Sequence, residues 1–99
     1  MDRPCTLTTW RVTPGKQDAF LEAIEELEAV LLQLPGPPGG LDVLQSVDDS
    51  AVFHTIGWFH SQGDLDAMRE HENARRLLEE LVSLSSEFRP TSHIVVRTR

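Results

Sequence analysis

The chain has 99 residues, a formal net charge of −7 and a single cysteine. A chain of this length forms one domain, so we treat residues 1–99 as a single unit. Because phosphate binding needs a positive surface, the acidic balance argues against a nucleic-acid partner. One cysteine excludes an internal disulfide, and no apolar run reaches the roughly 18 residues of a membrane span. The first residues lack a signal-peptide pattern, and we therefore expect a cytoplasmic protein.

The first half of the chain predicts a strand, a helix and a hairpin. Residues 5–12 are β-branched and alternating, which is typical of a strand. Over residues 16–34 the apolar side chains recur at helical spacing and the opposite side is acidic, which predicts an amphipathic helix. The Pro/Gly-rich residues 35–40 cannot continue that helix. Two strands, 41–46 and 51–59, flank a turn signal and are expected to pair antiparallel.

The second half predicts a broken helical region and a last strand. Ser61 and Asp64 resemble a capping box at the start of a helix. The apolar periodicity is interrupted just before Asn73, which is a good N-cap, so we expect a kink or two abutting helices. Pro90 is expected to end this region. Residues 92–99 then predict a fourth strand.

The order β-α-β-β-α-β is the split βαβ, or ferredoxin-like, arrangement of the α+β class. Its helices cover only one face of an antiparallel four-stranded sheet. The other face would carry Val52, Ile56 and Trp58, or their neighbours in the alternate phase. An apolar face of this size usually marks an interface. We therefore expect a homodimer that buries the helix-free face.

Four short motifs resemble the antibiotic biosynthesis monooxygenase superfamily, whose members are also called dimeric α/β-barrel proteins. The resemblance covers nearly the whole chain. The motifs are a first strand that runs through Pro-Gly into an acidic helix (10–16), a Leu-Pro-Gly segment before the second strand (34–36), a strand that ends in an aromatic residue (52–58), and a helix end with histidine (68–71). The resemblance implies that two sheets pack into a barrel across a dimer, with a pocket in each subunit between sheet and helices.

The resemblance also implies an activity, the cofactor-independent oxidation of a polycyclic aromatic or quinol-type substrate by dioxygen, as in antibiotic biosynthesis. Such a substrate forms a phenolate or enolate and supplies the electron itself. The protein need only bind, deprotonate and shield it, which takes an apolar pocket with a few polar groups. The sequence has no dinucleotide-binding, phosphate-loop or Cys-x-x-Cys motif, so no cofactor is expected.

Three residues are predicted to act in catalysis. His54 and Trp58 lie four apart on the third strand, which places them on one face. A family member with this chemistry carries an amide where His54 stands. His54 is a candidate base or hydrogen-bond donor, and Trp58 a candidate to stack on the substrate. His71 stands where the family often places a histidine near the pocket mouth. We expect His54 and Trp58 to project into one cavity with His71 near its rim.

Other interpretations of the same residues stay open. Trp58 also fits the role of an aromatic residue at a dimer interface, and His54 that of a core histidine. His71 also fits the role of a structural cap. A non-oxidative polyketide cyclase or isomerase using His54 as base, or a non-catalytic small-molecule-binding protein, would suit the same scaffold. The histidine spacing does not favour a metal site. The haem-degrading relatives have an axial histidine that residues 73–85 lack, so haem is disfavoured.

Overall fold

The structure, a computed structural model, describes residues 2–99. Met1 of the predicted domain lies outside the described residues. The elements in chain order are β1 (Pro4–Val12), α1 (Gln17–Leu32), β2 (Gly40–Gln45), β3 (Val52–Trp58), α2 (Gln62–Glu70), α3 (Glu72–Ser83) and β4 (Ser85–Ile94). The strands form one antiparallel sheet in the order β2-β3-β1-β4. The predicted ferredoxin-like α+β fold is confirmed.

The core lies between one face of the sheet and the helices. Helix α1 buries one stripe of apolar side chains, and α3 packs beside it with a second stripe. The sheet contributes Trp10 and Val12 from β1 and Phe53 from β3, all almost fully buried. Phe20 of α1 joins them, with its ring centroid 5.4 Å from that of Trp10 and 5.0 Å from that of Phe53. These large side chains determine which alternate residues of each strand face the helices.

The helical region after β3 is divided as expected, but at a different residue. Ser61 caps α2, and its hydroxyl accepts a hydrogen bond from the backbone N–H of Asp64 at 3.1 Å. The second cap is His71 rather than Asn73, because the His71 ring accepts from the backbone N–H of Ala74 at 3.3 Å. The prediction of two abutting helices is therefore correct, and the choice of N-cap residue was wrong.

The last strand begins earlier than the sequence predicted. It spans Ser85–Ile94 instead of residues 92–99, and Pro90 lies inside it opposite Thr8. Proline has no N–H to donate to a ladder and is confined to edge strands. β4 is an edge strand, so Pro90 is tolerated there. The first helix likewise ends at Leu32, slightly before the predicted boundary.

The second face of the sheet has no helix over it. Its register brings together the central positions Leu7, His54 and Ile56, which are half-buried, and the exposed Leu44 of β2. Toward β4 the same face becomes polar, and Arg89 is its exposed basic member. The predicted helix-free apolar face is therefore present along β2, β3 and β1. The predicted homodimer stays a prediction.

Candidate functional site

A cavity of about 320 Å³ lies between the sheet and the helices. Its volume is in the range of natural ligand pockets, which are concave and mostly apolar. Its walls come from β1, β2, β3, all three helices and β4. Most of its lining is apolar, including Trp10, Leu27, Leu31, Phe59, Met68 and Leu78. This is the place between sheet and helices where the resemblance implies a pocket.

The sheet gives this cavity three threonines. Thr6 and Thr8 come from β1 and Thr55 from β3, and in the strand register Thr8 is directly opposite Thr55. The indole N–H of Trp10 donates to Thr55 Oγ1 at 3.0 Å. The hydroxyl oxygen of Thr6 is buried and has no hydrogen-bond partner within residues 2–99. We call Thr6, Thr8 and Thr55 the threonine patch.

Charged side chains also line the cavity. Glu28 of α1 is half-buried there. Arg69, in the last turn of α2, lines the cavity and also a second hollow, which adjoins Cys5 and His93. The cavity thus combines an apolar interior with acidic and basic side chains.

His54 and Trp58 share one face of β3, as predicted, but it is the face without helices. Phe53 and Phe59 are buried against the helices, so the alternate residues of the strand point the other way. Neither His54 nor Trp58 lines the cavity; Thr55 and Phe59, the next residue in each case, do so. The expected placement of His54 and Trp58 in the cavity was therefore wrong by one strand position. Their catalytic roles stay predictions.

Each of these two side chains has local partners on the helix-free face. His54 Nδ1 and Thr9 Oγ1 form a cross-strand hydrogen bond of 3.1 Å. The guanidinium of Arg3 lies 5.1 Å from the centre of the Trp58 ring, within cation–π range. The His60 ring packs edge-on against Trp58 at 5.0 Å.

His71 is placed by its role at the junction of α2 and α3. Its Nδ1 accepts the Ala74 N–H, so this nitrogen carries no proton in the capped form. The side chain does not line the cavity, although Met68 and Arg69, shortly before it, do. His71 therefore caps α3 close to the cavity wall and does not lie at the cavity rim, where it was predicted.

The remaining candidates give no further reactive centre. Burial raises the pKa of the Cys5 thiol, which opposes formation of a nucleophilic thiolate. Across residues 2–99, no three His, Cys, Asp or Glu side chains are grouped to hold a metal ion. Within the same part of the chain, no helix is long and apolar enough to cross a membrane.

Sequence reasoning missed the threonine patch, Glu28 and Arg69. A signal for two of the threonines was available, because Thr6 and Thr8 alternate in phase with Trp10 and Val12, which are core residues. A threonine in that phase must face the helices. No such signal exists for Arg69, because its position at the cavity depends on how α2 docks.

Residues 5–80 match the family model described as antibiotic biosynthesis monooxygenase. No curated protein sequence matches the chain significantly. Among solved structures, the chain is similar to a protein of Nitrosomonas europaea assigned to the antibiotic biosynthesis monooxygenases. The two are 21% identical with a TM-score of 0.85, and the match covers 95% of this chain and 90% of that one.

Two further structures extend this likeness. A variant of SnoaB, a cofactor-independent oxygenase from Streptomyces nogalater, has a TM-score of 0.88 at 14% identity, with 99% of this chain and 97% of that chain covered. A protein of Chloroflexus aurantiacus, also assigned to the antibiotic biosynthesis monooxygenases, has a TM-score of 0.82 at 16% identity, with 98% and 96% covered. At these identities the likeness establishes the fold.

Proposed function

We propose that this chain, which belongs to the antibiotic biosynthesis monooxygenase family, is a cofactor-independent monooxygenase that oxidises a polycyclic aromatic or quinol-type substrate with dioxygen. The observation that carries the proposal is the largely apolar cavity of about 320 Å³ between sheet and helices, with hydroxyl groups on its sheet side. A flat aromatic ring system suits such walls, and a few polar groups suffice to orient it. SnoaB, which has this fold, is a cofactor-independent oxygenase.

The chemistry asks little of the protein beyond binding and proton transfer. Loss of a proton turns a phenol or anthrone into an electron-rich anion, which can pass an electron to dioxygen. Carbon–oxygen bond formation gives a peroxide, and its collapse leaves one oxygen in a new carbonyl group and releases the other as water. An enclosed apolar site favours this sequence because it keeps solvent away from the reactive anion. Glu28, half-buried at the cavity, is a carboxylate within this site that could receive the proton.

Oxygen uptake tests the activity. Purified protein is mixed with a panel of anthrones and hydroquinones in an oxygen-electrode cell, with chelator present and no flavin or metal added. We expect uptake with at least one substrate, one water formed per dioxygen, and a quinone product. As a control, Leu78→Trp places a large side chain in the cavity wall and should abolish turnover. Uptake that is unchanged in Leu78→Trp would contradict the assignment of the cavity.

The roles predicted for His54, Trp58 and His71 are tested in the same assay. A general acid–base contributes roughly 10²–10⁴-fold, so His54→Ala should lower turnover by that factor if His54 is the base. Under the same hypothesis Trp58→Phe should mainly weaken substrate binding. Full activity in His54→Ala, together with loss of activity in Leu78→Trp, would assign the chemistry to the cavity. Loss of activity in His54→Ala alone would assign it to the helix-free face.

A further inference from the structure

The threonine patch has hydrogen-bonding capacity that the protein itself does not use. An indole N–H is only a donor, so Thr55 Oγ1 must accept from Trp10, and its own O–H proton is left to point elsewhere. Within residues 2–99, Thr55 Oγ1 makes no other side-chain hydrogen bond. A donor of this kind, in the wall of an apolar cavity, is free for a ligand oxygen.

Thr6 provides a second unused group next to the first. It is opposite Gly57 in the strand register, while Thr55 lies two residues before Gly57 on the same face. Such diagonal neighbours have Cα atoms about 7–8 Å apart. The Thr6 hydroxyl oxygen is buried without a partner, which is costly for a polar group. Rotation about χ1 exchanges hydroxyl and methyl, so this side chain can turn its hydroxyl toward the cavity that it lines.

From these two groups we infer that Thr55 and Thr6 are specificity-determining residues, which hydrogen-bond a hydroxyl or carbonyl oxygen on the end of an aromatic ligand nearest the sheet. The inference rests on the proposed function in one respect, that the cavity is the ligand site. The donation from Trp10 polarises the Thr55 hydroxyl and makes it a stronger donor. A carbonyl or phenolate oxygen is therefore the preferred partner of Thr55. A ring system without oxygen would leave both hydroxyl groups unpaired, and the site should discriminate against it.

Two probes of equal ring size test this inference, 2-naphthol and naphthalene. Their dissociation constants are measured by equilibrium dialysis for the wild-type protein and for Thr55→Val and Thr6→Val, which replace a hydroxyl by a methyl of similar volume. One lost hydrogen bond should weaken 2-naphthol binding by about three- to tenfold. Naphthalene binding should not weaken, because naphthalene uses neither hydroxyl, and this separates lost recognition from general damage to the cavity. Thr55→Ser should restore most of the 2-naphthol affinity.

Thr9→Val is the matched control, because Thr9 is on the same strand as Thr6 but on the helix-free face, where it pairs with His54. It should bind both probes like the wild type. If both probes bind and the valine variants keep the wild-type ratio of affinities, the inference about the threonines is refuted and the cavity survives as the ligand site. If the wild type binds neither probe, the aromatic ligand site and the inference both fail.

Discussion

Gly40→Ala is expected to destabilise the protein, because an added methyl group would meet the Trp58 ring. A Cβ atom built at Gly40 overlaps Trp58 Nε1 and lies 3.0 Å from its Cδ1. These atoms are near the point where the ring joins its side chain, so a small rotation does not clear them. The backbone at Gly40 has no positive φ, so the cost is steric rather than conformational. Larger movement of the ring would disturb its contacts with Arg3 and His60.

The size of the effect follows from two opposing contributions. Overpacking of this kind costs about 1–3 kcal/mol. The alanine recovers about 0.4–1 kcal/mol by restricting the unfolded chain. The net loss is thus about 0.5–2 kcal/mol, which lowers the Tm of a domain of this size by about 3–15 °C.

Thermal unfolding followed by circular dichroism at one fixed protein concentration measures this change. Gly63→Ala is the matched control, because its added Cβ has only Ser61 Oγ nearby, at 3.8 Å, and it lies in the first turn of α2. It should leave the Tm unchanged or raise it. In a Trp58→Val background the penalty of Gly40→Ala should largely disappear. A Tm of Gly40→Ala equal to that of the wild type would refute the steric argument.

Three further predictions concern a helix cap, an ion pair and assembly. His71→Ala should remove the cap that Ala74 N–H uses and cost about 0.5–2 kcal/mol, while His71→Asn should retain most of the stability in the same melts. A hydrogen bond from the Ala51 N–H and the Arg11 guanidinium hold the pKa of Asp49 below its usual value, so Asp49 stabilises the fold above its unfolded-state pKa, and this contribution is lost as the pH falls through its folded-state pKa. Asp49→Asn should therefore flatten that part of the acid profile of stability, and an unchanged profile would contradict the prediction. Light scattering at micromolar concentration should give a dimer mass, since a monomer would leave the helix-free apolar face uncovered.

The elements of this fold were predictable because their signals are local. The stripe of apolar residues in α1 and the Ser61 cap of α2 each depend on residues within one or two turns of helix. The N-terminus of α3 was misassigned for a physical reason: histidine is an uncommon cap, but an unprotonated Nδ1 accepts an N–H as a carboxylate or hydroxyl does. Pro90 was misread because proline tolerance depends on whether a strand is at an edge, which is a tertiary property.

The candidate site was less predictable, and the reason lies in the composition of β3. Phe53 and Phe59 occupy one alternation of this segment, while Ile56 and Trp58 occupy the other, so both faces are apolar. A one-residue change of phase moves every side chain to the opposite face. Hydrophobic alternation cannot choose between two such phases when one face packs under helices and the other is free to pack on a second copy. Packing of the large Phe53 ring against Phe20 decides the phase in favour of the phenylalanines. That choice puts Thr55 rather than His54 in the cavity wall, so the polar group that this part of the strand gives the cavity is a hydroxyl and not an imidazole.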